Sequence, residues 1–145
     1  MSLPPLLLSL LLPLAWAHAP DTSLSVVRPI ADGASVVLTL RARDADALGS
    51  VDPGLLAVSA GGQPCDPSGV GVSTLSDGRV EARWSVVCPG PVDGLDASVL
   101  LGRLPRHLLL ARVGERSAGL TRVAPALGPA APARSKQTPA SPGDW

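Results

Sequence analysis

Chemistry has few places to start in this chain. Two cysteines (Cys65, Cys88), two histidines (His18, His107) and no tyrosine are all it offers beyond serines and carboxylates. The cysteine spacing matches no Cys-x-x-Cys ligand or redox motif, which weighs against a metal or redox pair. An even cysteine count in an exported chain reads instead as a structural disulfide. His107 is the histidine available inside the domain for nucleophilic catalysis, and no Gly-x-Ser-x-Gly elbow accompanies it. It follows Pro105 and Arg106 at the start of a strand, so it reads as an exposed turn histidine. Gly61-Gly62 and Gly69-Val70-Gly71 read as hairpin connections rather than phosphate-cradling loops. No catalytic residue, cofactor or metal ligand is assigned on these grounds.

The disulfide reading depends on export, and the N-terminus supports it. Residues 3–14 form an apolar run, followed by Ala15-Trp16-Ala17-His18-Ala19-Pro20. A run of this length ending in small residues predicts a secretory signal peptide over residues 1–17, although no basic residue precedes it. It falls short of the ~20 residues that a spanning helix needs. Cleavage after Ala19 would place Pro20 just past the scissile bond, so cleavage after Ala17 is the better expectation. The product is then periplasmic or secreted. No later window is apolar and long enough to span a bilayer.

The elements that would position any site read as short strands. The chain has 145 residues, 15 of them glycine and 16 proline, and this length suits one domain. Strands are expected over 24–30, 35–43, 54–60, 70–75, 79–88, 96–103, 107–114 and 119–124, with no helix after the leader. Val36, Leu38 and Leu40 fall on one face of the second strand. In 79–88, Val80, Ala82, Trp84, Val86 and Cys88 alternate with Glu81, Arg83, Ser85 and Val87, which turns Trp84 inward. Ser76-Asp77-Gly78 supplies the hairpin turn before it. Strands at this spacing predict an all-β antiparallel sandwich of about seven to eight strands over residues 18–124. A buried tryptophan beside an inter-strand disulfide gives it an immunoglobulin-like aspect. Residues 125–145 are rich in Pro and Ala, and a disordered tail is expected there from about residue 126.

Charge excludes one class of partner. Twelve basic residues balance twelve acidic ones, and without Phe or Tyr there is little to stack on bases, so nucleic acid is excluded. The balance hides an asymmetry. Residues 44–96 hold eight acidic side chains against Arg79 and Arg83, whereas 103–122 hold five arginines against Glu115. Exposed sandwich strands also suit pairing with a membrane or periplasmic protein. Around Leu108-Leu109-Leu110, Leu109 faces opposite its neighbours, so both faces there read as covered sandwich core, with a docking surface for a membrane or periplasmic partner as the alternative.

Several features follow one another in a recognisable order. Ala-His-Ala ends the leader, Ser25-Val26-Val27-Arg28-Pro29 follows, and Cys65 precedes a hairpin. Gly78-Arg79-Val80-Glu81-Ala82-Arg83-Trp84 comes next, then Cys88, a Gly-Leu segment, and Leu104-Pro105-Arg106-His107-Leu108-Leu109-Leu110-Ala111-Arg112-Val113. Over residues 18–124 this order resembles the extracytoplasmic N-terminal domain of HupE/UreJ-type membrane proteins. The resemblance implies an exported β-domain of the kind that precedes a bundle of membrane helices. Those helices are missing here, which reads as a truncated relative or a free-standing version, and transport is not carried over. Some relatives are linked to nickel handling, so a nickel- or copper-binding accessory centred on His18 is the alternative reading. A freed His18 would offer an amine and an imidazole. Pro20 in the third mature position removes the arrangement that needs a histidine there.

Overall fold

The computed structural model describes residues 21–128, so the leader, its two cleavage sites and His18 lie outside the described residues, as does the tail beyond Gly128. Strands β1 (Asp21–Ile30) and β2 (Gly33–Leu40) form a hairpin, and β5 (Asp66–Thr74) and β6 (Val80–Val87) form another. With β8 (His107–Val113) and β9 (Arg116–Leu120) they build a six-stranded sheet in the order β5-β6-β2-β1-β8-β9. A smaller sheet packs against it in the order β10-β7-β3-β4, from β3 (Ala57–Ala60), β4 (Gln63–Pro64), β7 (Gly94–Asp96) and β10 (Ala126–Leu127). The protein is an all-β sandwich. Its large sheet departs from the antiparallel expectation at one place among the described residues, where β1 and β8 run parallel.

Alternation explains which face is inside. Val36, Leu38 and Leu40 on β2, and Ala82, Trp84 and Val86 on β6, are all buried. Trp84 stands opposite Val36 and is 3% exposed, as the sequence pattern requires. The small sheet contributes Val58, Ala60 and Leu95 to the same core. Gly33 marks where backbones crowd: an added Cβ would lie 1.8 Å from the Val86 carbonyl oxygen. In the β5–β6 turn the Leu75 amide donates to the Arg79 carbonyl at 2.7 Å, and the Gly78 amide to the Leu75 carbonyl at 2.9 Å.

Two expected stretches of strand are helical instead. Ala42–Leu48 forms α1, cutting the second strand short at Leu40. Its alanines favour a helix, Asp44 sits in the first turn where the dipole favours an acid, and Gly49 caps the end with φ 81°. Residues 98–103 form α2 (Ser98–Arg103) rather than strand. The Asp96 carboxylate accepts from the Ser98 amide at 2.8 Å and so meets a donor that a helix start leaves free. Leu100 and Leu101 then enter the core together, which a strand would forbid. Pro53–Leu55 adds a 3-10 turn ahead of β3, where a longer strand was expected.

The last strand also ends earlier than expected, at Leu120, and the ordered chain continues past it. Ala126 and Leu127 pair with Asp96 and Leu95, so these two residues belong to the sandwich and not to a disordered tail. Arg116 explains the attachment. It donates to the Asp93 carbonyl at 2.9 Å and also to the Gly128 carbonyl, tying β9, the β7 approach and β10 together.

Candidate functional site

Cys65 and Cys88 are joined as a disulfide, with Cα atoms 4.4 Å apart. Cys65 lies where the chain leaves β4 for β5, and its amide donates to the Val58 carbonyl at 2.9 Å. Cys88 follows β6, and its amide donates to the Asp32 carbonyl at 3.1 Å. The bond thus ties the edge of the small sheet to the end of the large one. It is structural in position, buried at Cys65 and half-buried at Cys88.

His107 is not the exposed turn histidine that its neighbours suggest. The parallel β1–β8 register sets Asp21 opposite His107 and turns both His107 and Ser23 inward. Ser23 Oγ lies 2.5 Å from His107 Nε2. Behind the ring, Asp44 on α1 brings Oδ2 to 3.9 Å from Nδ1, too far for a hydrogen bond but close enough for an ion pair once the ring is charged. Ser23, Asp44 and His107 are each about 95% buried, and Asp44 Oδ2 has no hydrogen-bond partner among the described residues. Burial lowers the His107 pKa from its ordinary value, outweighing the opposite pull of Asp44 and Asp21, and Arg41 lowers it further. The neutral imidazole is therefore the resting form.

A hydroxyl, an imidazole and a carboxylate in this order have the makings of a nucleophile, base and orienting acid. The surroundings point elsewhere. A cavity of about 230 Å³ beside the cluster is lined by His107, Asp44, Asp21, Arg103 and Arg106, among others, and Ser23 is not among them. The hydroxyl faces the core from a strand paired on both sides, where an acyl group has no approach. As it stands, the Ser23–His107 contact links β1 to β8, and Asp44 on α1 is buried beside the ring without bonding to it. Among the described residues no group of three His, Cys, Asp or Glu side chains is placed to hold a metal.

The outward face of the large sheet is different in kind. Opposite the buried Ser23, Ser25 and Val27, strand β1 points Leu24, Val26 and Arg28 outward. Register places Leu110 beside Leu24 and Val37 beside Val26, with Leu108 next along β8. Among the described residues this stripe is open at two points, where Leu24 is 44% and Leu110 45% exposed, while Val26, Val37 and Leu108 are half-buried. The Leu108–Leu110 run therefore has Leu109 in the core and its neighbours on an open face. Beyond β6, β5 is an edge strand exposed along its whole length, Val70 and Val72 included.

No family model and no curated protein matches the sequence.

Proposed function

We propose that the chain is an exported, non-catalytic interaction module, resembling the HupE/UreJ extracytoplasmic domain, which docks through the outward face of its large sheet. Its setting is the periplasm or the outside of the cell, and its partner is a membrane or periplasmic protein. The observation that carries this reading is the apolar stripe of Leu24, Val26, Val37, Leu108 and Leu110 across three adjacent strands, exposed at Leu24 and Leu110 and half-buried at the other three. Contiguous apolar surface at the middle of a sheet is unfavourable in water unless something covers it, whereas scattered exposed leucines are ordinary. A disulfide fits an oxidising compartment. The burial of Ser23 and His107 favours a structural over a hydrolytic use of that pair.

Co-sedimentation of the processed protein with washed cytoplasmic membranes tests the proposal. The native protein should pellet with them, and a Leu24→Ser/Leu110→Ser variant should stay in solution. Equal distribution of the two proteins would refute the docking face.

A further inference from the structure

The apolar stripe ends in a cleft with its own chemistry. Arg28 on β1 and Arg112 on β8 project from adjacent strands on the outward face, next to Val26. Together with Val26, Val27, Pro29 and Gly114 they line a cavity of about 350 Å³. Arg112 Nε donates to the Gly114 carbonyl at 3.0 Å, which orients the guanidinium and leaves its terminal nitrogens without a partner among the described residues. Neither arginine forms an ion pair among the described residues. The other arginines near this face differ: Arg83 is held by Glu81, and Arg41 by Asp21. Two unpaired guanidiniums at one end of an apolar stripe are a mismatch that an anionic group resolves, since planar N–H forks suit a carboxylate.

We infer that the partner surface is an acidic, amphipathic protein segment. Its apolar side chains would cover Leu24, Val37 and Leu110, and its carboxylate would enter the Arg28–Arg112 cleft. This rests on the docking face proposed above and gives it a polarity and a partner chemistry. An anionic lipid surface shares the charge but not the shape. Leu24 and Leu110 are each more than half covered by their neighbours on the sheet, and do not project as side chains that enter a bilayer must. A partly recessed apolar stripe with a charged end suits a helix or strand laid across it.

A displayed random-peptide library panned on the folded, processed domain tests the inference. Near-UV circular dichroism from Trp84 checks that each variant is folded, and all the altered residues are exposed or partly so. Enriched peptides should combine leucine, isoleucine or valine with aspartate or glutamate. Arg28→Glu/Arg112→Glu should weaken them by about tenfold or more and favour lysine-bearing analogues instead. If Leu110→Ser abolishes binding while charge reversal changes nothing, the acidic-partner inference fails and the docking face stands. If no peptide depends on Leu110, both fail. If no peptide is enriched but the domain pellets with phosphatidylglycerol vesicles and not with phosphatidylcholine ones, the partner is a lipid surface and the inference is overturned.

Discussion

Replacing both Cys65 and Cys88 by alanine removes the covalent tie without leaving a free thiol. The bond closes a sequence separation of 23 residues. In the chain-entropy treatment a loop of that length stabilises the folded state by about 3.4 kcal/mol at room temperature, by restricting the unfolded chain. Against a total stability of about 5–15 kcal/mol, this is a large share. Cys65 is buried in the core cluster, so part of its contact surface is lost as well, which adds to the destabilisation. The melting temperature should fall by roughly 10–20 °C for a domain of this size. Thermal and urea unfolding followed by near-UV circular dichroism, where Trp84 reports packing, would measure it. Native protein treated with reductant should approach the same value. A loss below ~1 kcal/mol would refute the reasoning, because the tie would then be constraining an unfolded chain that is already compact.

Two further outcomes follow from the interior. His107 has a folded-state pKa below its ordinary 6.5, so the folded state resists protonation. Stability should be fully present above pH 6.5 and decline as the pH falls below it toward the folded-state value, because the unfolded chain takes up the proton first. A His107→Gln variant should be less stable at neutral pH but show a flatter dependence between pH 7 and 5; urea midpoints across that range would check this, and parallel curves would contradict it. Gly33→Ala places a methyl group 1.8 Å from the Val86 carbonyl oxygen, and should break the β2–β6 pairing at that end. Amide hydrogen exchange at Cys88, whose amide donates to the Asp32 carbonyl next to Gly33, should rise sharply in the variant, and unchanged protection there would count against the crowding.

The parts of this fold legible from sequence are those with a local cause. Period-2 alternation over Val80–Val87 fixes which side chains face the core, and Ser76-Asp77-Gly78 fixes the turn before it. The run 98–103 was not legible, because a short leucine-rich segment suits helix or strand equally. The Asp96 carboxylate and the shared burial of Leu100 and Leu101 decide it. Ser23 and His107 meet across 84 residues only because β1 and β8 pair in parallel. No local signal announces such a pairing, so His107 looked exposed. Asp44 was hidden for a related reason, since its placement depends on α1 replacing the end of a strand. Ala126 and Leu127 joined the sandwich against their composition, through Arg116 and backbone pairing with β7. The docking stripe was half visible. Leu108-Leu109-Leu110 showed that two faces existed, but only the layer order tells which one is left open.

The most direct test of the account is a photo-crosslinking scan of the exported protein in living cells. A benzophenone side chain would replace, in turn, Leu24, Val37 and Leu110 on the open stripe, and Val99 and Val123 elsewhere on the surface. One discrete adduct of constant mass should form from the first three positions and not from the last two. No adduct from the stripe, or the same adducts from all five positions, would contradict it.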